Sequence, residues 1–135
     1  MNAVESPPLP ELLHRRGWLA GGFLLLITIL ILSLMPLSGL VEMPPYSDKL
    51  LHALAFTILM LWFSGLVHAR HYRWLFMSLL IYGAVIEVLQ SLTDYRTLEL
   101  ADLLADASGL LLGWTLAHAY LGNWCADLEK RFSHP

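Results

Sequence analysis

The sequence is poor in the residues that keep a chain in water and poor in most signatures of enzyme chemistry. Asp, Glu, Lys and Arg make up 14% of it against 57% hydrophobic residues, where a soluble domain carries about 25% charged and about 45–50% apolar residues. That imbalance excludes an ordinary soluble domain. Cysteine occurs once, at Cys125, which excludes an internal disulfide and leaves a thiol expected to be inert. No G-x-S-x-G is present, so there is no nucleophile elbow, and Ser91 beside Gln90 remains as the nucleophile candidate. H-x-x-x-H and H-x-x-x-E are also missing, and with them the helical spacing of many metal sites. The net charge of −3 comes without a block of Lys and Arg, so nothing offers an electrostatic footprint for nucleic acid. No internal repeat is evident.

What the chain does have is four apolar runs: Gly17 to Met35, about Leu50 to Val67, Trp74 to Leu92 and Leu103 to Leu121. The first would rise about 28 Å as a helix, close to the roughly 30 Å of a hydrocarbon core. The expected fold is an all-α membrane protein, a four-transmembrane-helix bundle, divided into a lead (1–16), a membrane domain (17–121) and an interfacial tail (122–135) anchored by Trp124 and Phe132. His14, Arg15 and Arg16 precede a run too long for a signal-peptide core, and no A-x-A site follows, so it reads as a retained anchor. Arg15, Arg16, Arg70, Arg73, Lys130 and Arg131 fall on one side of the spans, with Lys49 and Arg96 on the other. Lys and Arg gather in cytoplasmic loops, which places the N-terminus and C-terminus in the cytoplasm. The Ser6-Pro7-Pro8-Leu9-Pro10 segment reads as an extended lead. Pro36, Pro44 and Pro45 make the first external loop a rigid turn, with Ser47 or Asp48 as the following helix cap.

Inside this apolar chain the ionisable residues gather toward the outer ends of the spans. Charge in a bilayer is costly, so each is a functional-site candidate. Asp48 and Lys49 stand four and three residues before His52, so all three share a sector of the second helix, and Phe56 continues that stripe inward. Gly83, Glu87 and Gln90 share a face of the third. Asp102, Asp106, Gly109 and Gly113 form a row on the fourth, ending in a G-x-x-x-G that lets another helix approach closely. Each has a plainer reading: Asp48 and Asp102 as partners of helix dipoles, Lys49 and Arg96 as snorkelling cations, His52 as a packing residue. Glu87 resists it, because it lies well inside its span and must be paired, protonated or wet. The first helix has no ionisable residue between Gly17 and Met35, and its Thr28 and Ser33 are too few to line a path.

The ordered set Ser47-Asp48-Lys49-Leu50-Leu51-His52-Ala53-Leu54-Ala55-Phe56, Glu87-Val88-Leu89-Gln90, Arg96 and Ala101-Asp102-Leu103-Leu104, leading to Gly109 and Gly113, resembles the VanZ-like family of small bacterial membrane proteins. The resemblance covers roughly Ser47 to Ala117. It departs at Asp106, where that family usually carries Asn. It implies a cell-envelope protein of the bacterial inner membrane and a link to resistance against the glycopeptide teicoplanin, without naming a reaction.

From the residues, the expectation is a polar pocket on the periplasmic or extracellular side that binds or processes a lipid or lipid-linked envelope intermediate with an anionic headgroup. Glu87 would be acid or base, Asp102 and Gln90 its orienters and His52 a proton relay. Lys49 and Arg96 would contact the anion together with two outward-pointing helix N-termini, and Asp48 and Asp106 would support them. A hydrolase or transferase is one form of this reading; a non-enzymatic binder, a carrier or a structural subunit of an envelope complex is the alternative. The partners expected are membrane lipids, and no cofactor is expected. A divalent metal on His52, Asp48, Glu87 and Asp102 is a lesser possibility, opposed by the nearby Lys49 and Arg96.

Overall fold

The structure, a computed structural model, describes residues 12–36 and 44–133. Most of the lead and of the first external loop, expected to be an extended segment and a rigid turn, lie outside the described residues. Five α-helices follow in order: α1 (Arg15–Leu34), α2 (Ser47–Ser64), α3 (Tyr72–Ser91), α4 (Leu100–Leu116) and α5 (Trp124–Ser133). A 3₁₀ turn, Ala69–His71, leads into α3, and a π-helical turn, Ala117–Leu121, extends α4. No strand occurs among the described residues.

Three stretches, Arg15–Leu34, Ala69–Ser91 and Leu100–Leu121, are long and apolar enough to cross a membrane. Their outward sides carry large apolar side chains, including Phe23, Leu24 and Ile27 on α1 and Trp74, Ile81 and Val85 on α3. Such a surface suits lipid and would aggregate in water. The chain is therefore a membrane protein. The 18 residues of α2 include Asp48, Lys49 and His52 in the first two turns, and these dilute its apolar character.

Lipid is as apolar as the side chains it touches, so helices in a membrane associate through close packing more than through the hydrophobic effect. The tightest packing is between α2 and α4. A Cβ on Gly109 would lie 2.1 Å from the Ala53 carbonyl oxygen, and one on Gly113 would lie 2.7 Å from Met60 Cβ. Both glycines lie against α2, and the buried residues of α4 are Asp102, Asp106, Gly109, Leu110 and Gly113. Phe56, Leu59 and Met60 of α2, Ile86 of α3 and Leu110 of α4 fill the core.

Bonds from side chains to carbonyls of α1 hold that helix. Trp62 Nε1 donates to Trp18 O at 3.1 Å, Tyr82 Oη to Leu26 O at 2.6 Å and Gln90 Nε2 to Ser33 O at 2.8 Å, while Tyr95 Oη donates to Leu34 O. The last two satisfy carbonyls that the end of a helix leaves unpaired.

The expected cap of α2 needs correction. Ser47 and Asp48 already lie inside the helix, and Tyr46 holds the capping position at φ 69° with no side-chain cap bond. A turn precedes the helix, in which Ser47 N–H donates to Pro44 O at 3.2 Å and Tyr46 occupies the left-handed region that side chains seldom adopt. The tail differs too: α5 docks on the bundle, with Cys125 and Glu129 buried while Phe132 stays exposed.

Candidate functional site

The start of α2, the end of α3, the loop after it and the start of α4 meet at one end of the bundle. Lys49 sits at the rim, with its ammonium donating to Glu99 Oε2 at 2.9 Å, Asp102 Oδ1 at 3.1 Å and Asp48 Oδ2 at 3.3 Å. Three acceptors match its three protons. Arg96 Nη2 donates to the other oxygen of Asp102 at 3.4 Å, so the buried Asp102 has a cation at each oxygen. The remaining N–H groups of Arg96 make no bond within the protein among the described residues, and the side chain is 32% exposed.

One turn deeper the cations are gone. His52 Nδ1 lies 2.9 Å from Asp106 Oδ1, and Asp106 is fully buried. Its other oxygen has no hydrogen-bond partner among the described residues and faces the bare Cα of Gly83, where a Cβ would come within 2.6 Å of it. Glu87 is 3% exposed, and neither of its oxygens has a hydrogen-bond partner among the described residues. The Glu99 N–H approaches this carboxylate without reaching hydrogen-bond geometry. One ligand-type atom from each of His52, Glu87 and Asp102 falls within 4.8 Å of the others.

Gln90, expected to orient Glu87, is turned toward α1 instead. Its amide donates to Ser33 O, and its own oxygen is unpartnered. Asp102, the other expected orienter, is engaged by Lys49 and Arg96. Asp106, expected only in support, is the direct partner of His52. Ser91 is exposed and donates to Val88 O, so it stands apart from the cluster.

Between α1 and α2 lies a groove of about 1040 Å³. Asp48, His52, Gln90 and Arg96 line its polar end, and apolar residues such as Leu25 and Ile58 line it further along the helices. His52 thus belongs to both places, lining the groove while its Nδ1 reaches the buried Asp106.

The match that assigns this arrangement covers residues 22–121, over which the family model described as VanZ/LLP1 fits the sequence. The chain belongs to the VanZ/LLP1 family. The matched segment contains every residue of the cluster, whereas Glu129 and the rest of α5 lie beyond it. No curated protein and no solved structure matches the chain. The VanZ/LLP1 assignment and the three apolar helices agree in making this a membrane protein of VanZ-like type.

Two features escaped the sequence. Glu99 joins the rim as an acceptor for Lys49, although nothing in its spacing singled it out. At the opposite end, Glu129 accepts from Leu13 N at 2.7 Å, His14 N at 3.0 Å and Trp18 Nε1 at 2.7 Å. Burial alone would raise its pKa, but the Trp18 indole N–H and the His14 and Leu13 backbone N–H groups outweigh it and hold the carboxyl below its usual value. Beside it Cys125 is buried, which pushes the thiol up to about 12 and leaves almost no thiolate at neutral pH. Trp18, Trp62 and Trp124 close this end with ring centroids 5.2 to 5.7 Å apart. Trp124, expected to anchor the tail at the interface, packs into this aromatic cluster instead. The signal was the i, i+4 spacing of Cys125 and Glu129, which puts both on one face of the tail helix.

Proposed function

We propose that this VanZ-like protein holds a lipid or lipid-linked envelope intermediate by its anionic headgroup, in the groove between α1 and α2, and handles a proton at that headgroup through His52 and Glu87. The observation that carries the reading is the double placement of His52, which lines the groove and also reaches the buried Asp106. The groove has the polarity of a lipid: a charged end at Arg96 and His52, then apolar walls for a chain. Arg96 has donors to spare for a phosphate oxygen, whereas the donors of Lys49 are already taken by three carboxylates, which makes Lys49 a support for the rim. Glu87, buried and without a hydrogen-bond partner among the described residues, is the carboxyl left free to take or give a proton, and general acid–base work needs such a group within reach of the reacting atom.

In this reading the bilayer holds four spans. α2 is the fourth, packed on α4 along one face, with Leu50, Leu54 and Ile58 exposed on another, and spanning about 27 Å. Both termini are cytoplasmic and the cluster faces the periplasm of a bacterial inner membrane, as the distribution of Lys and Arg supports. A site at the outer surface where envelope precursors are handled fits a family whose founding member is associated with teicoplanin resistance.

Native mass spectrometry of the detergent-purified protein tests this. Wild type should retain a defined anionic lipid, a phospholipid or an isoprenyl phosphate, that Arg96→Ala loses and Glu87→Gln keeps. No specific lipid in any of the three would overturn the reading. If Glu87→Gln keeps both the lipid and full activity in a resistance or envelope assay, proton handling falls and binding alone stands.

A further inference from the structure

The charges of the cluster do not balance. Asp48, Glu87, Glu99, Asp102 and Asp106 face only Lys49 and Arg96, a surplus of three negative charges with every carboxylate ionised and His52 neutral. The surplus is not evenly spread. Two sets of three groups stand close enough to share a cation: Asp48, Glu99 and Asp102 at the rim, and His52, Glu87 and Asp102 below. The rim set surrounds the Lys49 ammonium, within 3.3 Å of all three carboxylates. No Lys or Arg side chain pairs with Glu87 among the described residues, although it is 3% exposed and its oxygens have no hydrogen-bond donor. A buried carboxylate left alone is strongly disfavoured, so a cation or a proton must complete it.

We propose that His52, Glu87 and Asp102 bind a first-row divalent metal ion, zinc or manganese. Three observations point to a metal over a proton. The donors are one imidazole nitrogen and two carboxylates, a set that suits these ions, and their atoms converge within 4.8 Å. Asp106 fixes His52 through Nδ1 at 2.9 Å, which leaves Nε2 for the metal; metal-ligating histidines characteristically hold a carboxylate on the other ring nitrogen. Lys49 and Arg96, which the sequence sets against any cation, are neutralised by Asp48, Glu99 and Asp102 themselves. Asp102 has lone pairs for a metal besides those that accept from Lys49 and Arg96. The site lies beside the groove, so the ion would face the headgroup phosphate of the lipid reading and polarise it as a Lewis acid. That role rests on the lipid reading; metal binding itself does not.

The test uses untagged, full-length protein in detergent, stripped with EDTA and titrated with ZnCl₂ and separately with MnCl₂ by calorimetry, with CoCl₂ absorption as a spectroscopic probe. The expected result is one ion per chain, with at least a tenfold loss of affinity in Glu87→Gln and in Asp102→Asn. Asp106→Ala, which leaves the three ligands in place, should cost about 10–100-fold. Circular dichroism of each variant separates loss of the site from loss of the fold, and Glu87→Gln is close enough in shape to keep the helix packing. Absence of saturable binding by wild type, or binding that Glu87→Gln leaves unchanged, would overturn the proposal and leave protons as the partners of these carboxylates. Lipid adducts in native mass spectra are read separately. A protein that keeps its lipid but binds no metal loses only the metal, and one that binds metal without a lipid loses only the lipid reading.

Discussion

Glu129 and Glu87 are the same side chain, buried to a similar degree at opposite ends of one bundle, and they are treated in opposite ways. Glu129 collects three N–H donors from α1 and the residues before it. Glu87 collects none. The first arrangement is what a structural carboxylate needs, because each bond to a charged acceptor offsets its desolvation. The second is unstable by itself and makes sense where the missing partner is a ligand, an ion or a transferred proton. The surroundings do not explain the contrast, because Glu129 also borders a groove, one of about 390 Å³ beside Trp18 and Phe132. Burial alone therefore does not separate function from architecture here; satisfaction of the buried group does.

The largest effect should come from the glycine that lets the polar end form. Gly109→Ala puts a methyl 2.1 Å from the backbone oxygen of Ala53, which cannot move without shifting α2. Overpacking costs about 1–3 kcal/mol and occasionally more, and a backbone clash belongs at the upper end. Gly65→Ala at the tryptophan end meets Cys125 Sγ at 2.5 Å and Trp124 Nε1 at 2.6 Å; both belong to α5, which can shift as a terminal helix at the cost of the Trp124 bond to Leu61 O, so a smaller loss of about 1 kcal/mol is expected. Unfolding in SDS followed by circular dichroism compares the two. Equal losses would mean that the α2–α4 contact is no stiffer than the docking of α5.

Removing each glutamate should then separate the ends directly. Glu129→Ala leaves three N–H groups without an acceptor and should loosen α5 from α1, seen as faster proteolysis after residue 121 and a lower Tm. Glu87→Leu removes an unmet acceptor and, in metal-free protein, should raise stability by about 1–3 kcal/mol, with metal and proton functions lost. A Glu87→Leu protein as damaged as Glu129→Ala would break the comparison.

How much of this was legible in the sequence depends on the range of the interactions. Spans, buried helix faces and the close approach of Gly109 and Gly113 follow from periodicity within one helix, and the observed helices begin and end within a few residues of the expected apolar runs. The convergence of Asp48, Lys49, Glu87, Arg96 and Asp102 was foreshadowed because the starts of α2 and α4, the end of α3 and the loop after it all fall on the same side of the apolar runs. Individual partners were not legible. Gln90 of α3 reaches Ser33 of α1 and not Glu87, because how α3 is rotated against α1 is written in neither helix; Asp106 rather than Asp102 holds His52, because one helical turn of relative sliding between α2 and α4 exchanges such partners without altering either pattern. Glu129 was missed for a different reason: its donors are backbone groups 115 and 116 residues away and an indole 111 away, and backbone N–H groups leave no trace in composition.

Acid should weaken one end on a defined side of neutrality. The Glu129 carboxyl is held below its ordinary value of 4.5, so its contribution is fully present above that value and is lost as pH falls through the lower, folded one. Tryptophan fluorescence from pH 7 to pH 3 should show a change below about pH 4.5 that Glu129→Gln abolishes. A transition that persists in Glu129→Gln would assign it to other groups and remove the clasp as the acid-sensitive element.

Thr57, midway between the ends, should matter least, and that is informative. Its hydroxyl donates to Ala53 O at 2.7 Å and lies 3.0 Å from Gly109 O, but one proton serves one acceptor at a time. The Ala53 carbonyl also accepts within its own helix, so Thr57→Val leaves no group stranded. Hydrogen bonds in membrane bundles average about 0.6 kcal/mol, and a loss of that size in SDS unfolding, with metal and lipid binding unchanged, is expected. A much larger loss would make the α2–α4 seam a polar device in its own right. The bundle would then be held at its centre by a hydrogen bond as well as by glycine packing, and the satisfied and unsatisfied carboxylates at its ends would no longer be the principal difference along its length.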